Sequence, residues 1–188
     1  MSISQSLEKL VDVLENKGIS LRPYLQSGLS RADVQAALNP LSLTPPEDLY
    51  ELYEWSNGVD ILNTPELLFG EYQFLPLSDA VQEYEELIKH YSQVTSSISL
   101  AQCFPFASFQ GSNCTIYCEP KPIEGLQHPV IEIYHGVGIL FESIDRMAQT
   151  VAEWFSLGIY DTQPVDDVLR AAIRQRLNPR IPYRSVTL

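Results

Sequence analysis

Apolar residues recur every three to four positions near both ends of the chain and alternate with polar residues in its middle. The first run predicts a helix over about Ser4–Lys17 that Gly18 ends, with Leu7, Leu10, Val11 and Leu14 facing inward. Ser30 is placed to cap a short helix with the sequence RADVQAAL, and Ser78 to cap a longer one, DAVQEYEELIKHYSQV. The N-terminal half is therefore predicted to be mainly helical.

The stretch LTPPEDLYELYEWSNG, residues 43–58, has the start and stop signals of a further helix. Thr44 is a candidate cap, Pro45 suits the first helical position, and Glu47 completes a Thr-x-x-Glu capping box. Asn57-Gly58 can adopt the left-handed conformation that ends a helix. The sequence thus predicts a helix that begins at Thr44 and stops at Asn57-Gly58.

The hydrophobic period changes to two after residue 103. FPFASF, NCTIYCE and VIEIYH are predicted strands, with a hairpin turn at Gln110-Gly111-Ser112-Asn113 and another turn at His135-Gly136 and Gly138. Consecutive strands joined by short turns indicate an antiparallel meander, one face of which carries Ile131 and Ile133.

Helical periodicity returns at Ser143, where Met147, Val151, Trp154 and Phe155 are predicted to face inward before Gly158. A last helix is predicted over about 165–177, followed by a loose or surface-draped tail over 178–188. Helices, then consecutive strands, then helices indicate an α+β fold in a single domain spanning residues 1–188. We expect a central, mostly antiparallel sheet that is flanked by helices.

Acidic residues form two stripes on the predicted helices. On a helical projection one acidic ridge faces away from the apolar side of the helix at 44–56, flanked by Tyr50 and Trp55, and a second stripe lies on the helix that starts near Ser78. Exposed acids flanked by aromatic residues are typical of an interface, although core packing of the two aromatic residues is the favoured interpretation. The candidate protein-binding residues are Glu47, Asp48, Tyr50, Glu51, Glu54, Trp55, Asp79, Glu83 and Glu86.

The net charge of −12 narrows the class of partner. Twelve acids and no Lys or Arg lie between Arg31 and Lys89, whereas the end of the chain from Arg170 carries arginines and no acid. An acidic protein repels phosphate backbones, so nucleic acid is not expected as a partner. The expected partner is a basic protein. A purely solubilising surface is the alternative interpretation of the acidity.

Residue patterns for catalysis or cofactor binding are sparse. The sequence has no phosphate-binding glycine loop, no Gly-x-Ser-x-Gly elbow and no local pair of histidines for a metal, so no cofactor is expected. A dyad of His135 with Cys114 or Cys118, in an uncharacterised small hydrolase, is the enzymatic alternative. The odd number of cysteines, the lack of a signal peptide and the lack of an apolar run long enough for a membrane span predict a cytoplasmic protein without a membrane partner.

Four pieces of the chain, in order, resemble the SUKH superfamily. They are the Leu-x-Pro-Pro helix ending in Asn-Gly, the segment LFGEYQFLPL, the strand pair FPFASFQGSNCTIYC, and VIEIYHGVGILFESIDRMAQTVAEWFSLG. The resemblance covers about residues 40–158. Asn113 stands where the family often has Gly or Asp, and an arginine-rich extension follows at 165–188.

The resemblance implies binding, not catalysis, because the superfamily includes fungal cell-wall assembly regulators and many bacterial toxin-immunity proteins. It supplies no catalytic residues. Two functions follow as alternatives. The first is an immunity protein that covers the active site of a basic toxin with acidic side chains. The second is a regulatory scaffold in cell-wall or signalling assemblies, for which the arginine-rich tail is a second contact.

Overall fold

The structure is a computed structural model that describes residues 2–60, 68–91, 98–161 and 165–181. Its helices are α1 (Ile3–Asn16), α2 (Arg31–Leu38), α3 (Glu47–Trp55), α4 (Leu77–Tyr91), α5 (Ile144–Ser156) and α6 (Asp167–Leu177). Its strands are β1 (Leu25–Ser27), β2 (Ser56–Val59), β3 (Gln73–Phe74), β4 (Cys103–Phe109), β5 (Ser112–Tyr117), β6 (Val130–Ile133) and β7 (Val137–Phe141).

Serine caps begin three of the helices. Ser2 and Gln5 form a reciprocal capping box at α1, the Ser30 hydroxyl accepts from the Asp33 backbone N–H, and the Ser143 hydroxyl accepts from that of Arg146. Each bond satisfies a backbone donor that the first helical turn leaves without a partner. The predicted starts of α2 and α5 are confirmed, and α1 begins one residue before its predicted start.

Helix α3 begins later than predicted. Its N-cap is Pro46, in an extended conformation and without a side-chain capping bond, so the predicted Thr44 capping box is wrong. The physical reason is the second proline. Pro46 disfavours the helical conformation at Pro45, and the chain therefore stays extended until Glu47.

Asn57 and Gly58 do not end α3, contrary to the prediction, because the chain leaves the helix at Ser56 directly into β2. Strand β2 pairs with the three-residue β1, which the sequence did not predict. Gly58 has a φ of +84° and runs so close to the next helix that an added Cβ would lie 2.4 Å from the Pro76 nitrogen. The Asn57 side chain accepts a 2.9 Å hydrogen bond from the Leu77 backbone N–H. Asn57 thus caps α4, and the predicted cap at Ser78 is wrong.

The main sheet is antiparallel throughout, in the order β3-β4-β5-β6-β7. Gln110 and Gly111 connect β4 to β5 with positive φ angles of 48° and 84°, as a tight two-residue hairpin requires. Gly138 belongs to β7 and not to the preceding turn. With helices on both sides of this sequential meander, the α+β prediction is confirmed.

The two faces of the sheet contribute to two apolar clusters. Cys114, Ile116 and Val130 join the larger cluster with α1, α3 and α5. Ile131 and Ile133 point to the other face, as predicted, and pack with Leu87 of α4 and Leu100 in the smaller cluster. The sheet is therefore covered on both sides over most of its length.

The C-terminal extension is bound to the body of the fold as far as the structure describes it. Asn178 is buried, accepts from the Glu142 backbone N–H at 2.9 Å and donates to Thr150. Arg180 binds the buried carboxylate of Glu142 at 2.7 Å. Of the two predicted alternatives, a loose tail is thus wrong for residues 178–181, because these contacts hold the segment against the fold, and residues 182–188 lie outside the described residues.

Candidate protein-interaction surfaces

The acids Glu47, Asp48, Glu51 and Glu54, here called the α3 face, are held by a cation from the neighbouring helix. Arg31, at the start of α2, forms a two-pronged ion pair with Glu47, with Nη1 2.6 Å from Oε1, and lies 3.8 Å from Glu54. This hydrogen-bonded pair lowers the pKa of Glu47. Helix α2 packs against α3, which places Arg31 over the acids. Arg31 therefore offsets the charge of Glu47 and part of that of Glu54, while Glu51 has no ion pair among the described residues.

Asp48 differs from the other acids of the α3 face because it is half-buried. Burial raises the pKa of its carboxyl, opposed by the nearby His128. The sequence prediction of one continuous ridge of solvated acids is therefore wrong at this position. The helical projection places Asp48 on the outer side, but packing of neighbouring segments around α3 removes part of its solvent.

The two aromatic residues that flank the α3 face make contacts inside the fold. The Tyr50 ring lies 4.5 Å beneath the Arg31 guanidinium. The Trp55 indole stacks on Phe74 at a centroid distance of 6.3 Å, and its Nε1 donates a 2.6 Å hydrogen bond to Glu8. Both residues pack against the larger cluster. Their role at an interface stays a prediction.

The acids Asp79, Glu83 and Glu86, here called the α4 face, have different surroundings. They follow one another at helical spacing on the outer side of α4. Asp79 accepts a 3.0 Å hydrogen bond from Ser78, and Glu86 contacts Lys89 and His90 one turn further on. Among the described residues no arginine pairs with this face, and Glu83 has no ion pair. Glu86 is exposed and Asp79 and Glu83 are half-buried, so the α4 face is partly open to solvent.

A cavity of about 200 Å³ lies beside the β4–β5 turn and the end of β6, and the sequence did not indicate it. Residues distant in the sequence meet there: Tyr72 and Ser112 both donate hydrogen bonds to Glu132. Alternation along β6 places Glu132 opposite Ile131 and Ile133, but no local motif marks it as a site residue. Only the pairing of the strands brings these groups together.

The cysteines and histidines do not form the dyad considered above. The Cys114 thiol contacts Met147, the Cys118 thiol bonds to a backbone carbonyl, and His135 lies exposed in the β6–β7 turn. Burial raises the pKa of Cys103 and of Cys118 to about 12, so their reactive thiolates are disfavoured at neutral pH. All three thiols are free and buried.

The described part of the chain has neither a metal-binding cluster nor a membrane-spanning helix. No three or more His, Cys, Asp or Glu side chains there are arranged to hold a metal ion. No helix in those ranges has the length and apolarity that crossing a bilayer requires.

Comparison with known proteins assigns the chain to a family through one profile match. No curated protein gives a significant match. The profile of the SMI1 / KNR4 family (SUKH-1) matches residues 28–157, which begin just before α2, end just after α5 and make up more than half of the chain. The match thus starts earlier than the resemblance over 40–158 and includes Arg31, while α6 lies beyond it. The chain belongs to the SMI1 / KNR4 family (SUKH-1).

Proposed function

We propose that this protein is a non-enzymatic binding domain of the cytoplasm that holds a basic protein partner through the α4 face. The observation that carries the proposal is the unequal neutralisation of its charges. Ion pairs with acids of the same chain are formed by Arg22, Arg31, Arg170, Arg176 and Arg180. On the α4 face Lys89 lies 3.6 Å from Glu86, but among the described residues Asp79 and Glu83 have no ion pair, so their charge is not offset there.

Complementary charge suits a partner that must be captured quickly. An acidic surface steers a basic protein into encounter and raises the association rate above that of an uncharged pair. A basic toxin neutralised by an immunity protein fits this requirement, and we propose it as the first candidate for the partner. The carboxylates of the α4 face would then cover the cationic site of the toxin.

A regulatory scaffold is the second candidate, and the membership of the family is compatible with it. The notion that the arginine-rich extension serves as its second contact gains less support. Arg170, Arg176 and Arg180 pair with Glu71, Glu153 and Glu142, so their charge is directed into the fold. These contacts favour the version in which the acidic surface, and not the extension, meets the partner.

An affinity pull-down from native lysate tests the proposal. We expect the wild-type chain to recover one small basic protein at low salt and to lose it as salt rises toward about 0.5 M, because screening shortens the reach of surface charges. A double variant, Glu83→Gln with Glu86→Gln, should recover much less of it. Recovery of large assemblies that resist salt would favour the scaffold, and equal recovery by wild type and variant would refute a role for the α4 face.

A further inference from the structure

The cavity beside the β4–β5 turn contains a carboxylate that is held in position. The hydroxyl groups of Tyr72 and Ser112 both donate to Oε1 of Glu132, the second at 3.2 Å. None of the described residues donates to Oε2. Two fixed donors orient the carboxylate, while its second oxygen keeps its acceptor capacity for an incoming group.

The strand beside Glu132 leaves room for that group. Gly138 on β7 pairs directly with Glu132, and a Cβ built on Gly138 would meet no atom within 4 Å. Directly opposed residues of an antiparallel pair are near enough for their side chains to touch. Because the position opposite Glu132 has no side chain, the carboxylate is approachable from the direction of the edge strand.

Exposed aromatic rings border the same cavity. Phe109 is 38% exposed and Tyr134 is 46% exposed, although both are large apolar side chains. Rings of this kind attract a cation to their faces, and the attraction adds to that of a nearby carboxylate. The cavity therefore combines the two groups that recognise an organic cation.

The protein itself contains one example of this recognition next to the cavity. The Arg170 side chain pairs with Glu71 at 2.5 Å while its guanidinium lies 4.9 Å from the Trp154 ring centroid. This pair lies at a second cavity of about 200 Å³, which adjoins the first and is lined by both Glu71 and Glu132. An arginine of the chain thus already lies between a carboxylate and an aromatic ring. Glu132 and the exposed rings beside it form a second arrangement of the same kind.

We propose that the cavity of Glu132, Tyr72, Phe109 and Tyr134 receives an arginine side chain of a protein partner. The planar guanidinium stacks on aromatic rings and binds carboxylates in a fixed geometry, which an ammonium group does not. The site lies apart from the α4 face, so it goes beyond the function proposed above. The α4 face attracts a partner through its negative charge, whereas this pocket recognises one specific side chain.

A peptide titration followed by nuclear magnetic resonance tests the site. The probe is acetyl-Gly-Arg-Gly-amide, and its control is the same peptide with uncharged citrulline in place of arginine. We expect saturable shifts of the backbone amides of residues 109–112 and 132–138, with a dissociation constant on the order of millimolar for so small a ligand. The citrulline peptide should bind about tenfold more weakly, because the charge-assisted bond is lost.

Two variants separate the pocket from the rest of the fold. Glu132→Gln keeps an oxygen acceptor for Tyr72 and Ser112, so it should melt near wild type while weakening the arginine peptide about tenfold. Tyr134→Ala removes an exposed ring and should weaken it severalfold. Glu83→Gln with Glu86→Gln should leave the titration unchanged, so failure of the pocket and failure of the α4 face are distinguishable. Equal binding of the citrulline peptide, or of a further control peptide with lysine in place of arginine, would overturn the proposal, as would shifts confined to α4.

Discussion

The α3 face and the α4 face have similar patterns of acidic residues but different surroundings. Both are stripes of acids on the outer side of an amphipathic helix. On α3, Arg31 pairs with Glu47 and approaches Glu54, and Asp48 is half-buried. On α4, Glu83 is without an ion pair among the described residues. Arg31 thus ties part of the first stripe to α2, whereas no arginine among the described residues pairs with the second.

The difference shows that an acidic pattern by itself does not identify an interface. The charge of a carboxylate acts on a partner only as far as its own chain does not offset it. Arg31 lies sixteen residues from Glu47 in the sequence, and only the packing of α2 against α3 brings the two together. Whether a carboxylate can act on a partner therefore depends on the cations of its own chain that lie beside it.

The largest expected effect concerns the connection between the two helices. Gly58→Ala would place a Cβ 2.4 Å from the Pro76 nitrogen in a backbone conformation that favours glycine. We expect a loss of roughly 3 kcal/mol in the free energy of unfolding, because both strain and overlap must be relieved. Urea denaturation measures it, with Gly111→Ala as the control that has a positive φ but open space. Equal losses in the two variants would show that the close approach to α4 is unimportant.

The next effect tests whether the aromatic border of the α3 face is structural. Trp55→Ala removes the stacking on Phe74 and the hydrogen bond to Glu8, and we expect a loss of about 2 kcal/mol in stability. Trp55→Phe should lose about half as much, since the ring contact stays. Thermal and urea denaturation measure both variants. A stable Trp55→Ala protein that no longer binds its partner would instead make Trp55 an interface anchor.

A smaller effect distinguishes two neighbouring acids of the α3 face by their pH dependence. Burial raises the pKa of Asp48, so its ionised form destabilises the fold at neutral pH, and Asp48→Asn should raise the melting temperature by about 1–3 °C. Arg31 lowers the pKa of Glu47, so Glu47→Gln should lower the melting temperature at pH 7. The Asp48 difference should vanish below the ordinary carboxyl pKa of about 4, where this acid is protonated in both the folded and the unfolded chain. The Glu47 difference should persist below that pH, because the folded-state pKa of Glu47 is lowered, and it should vanish only once the pH falls below that lowered pKa. Calorimetry across pH 3–7 measures them, and changes of equal sign would contradict the assignment.

Much of the fold could be predicted because its signals are local. Ser30 and Ser143 cap their helices within three residues, and Gln110-Gly111 makes a two-residue turn from its own conformational preferences. The failures are non-local. Asn57 and Gly58 resemble a helix stop in sequence, but pairing of β2 with β1 and the approach to α4 give them other roles.

The candidate surfaces were predictable only in part for the same reason. Helical periodicity places Glu83 and Glu86 on an outer face, and nothing in the tertiary structure changes that position. The pairing of Arg31 with Glu47, and of Tyr72 and Ser112 with Glu132, depends on contacts between distant segments. A single sequence without these contacts gives the charge of a surface but not its neutralisation.

The association rate constant of the basic partner recovered by pull-down tests most directly whether the α4 face, and not the α3 face, attracts that partner. Two double variants remove equal charge: Glu83→Gln with Glu86→Gln on the α4 face, and Glu51→Gln with Glu54→Gln on the α3 face. At low salt we predict that the first lowers the association rate constant about tenfold and the second less than about threefold, with the difference vanishing near 0.5 M salt. An equal loss in the two variants, or a larger loss on the α3 face, would contradict the account.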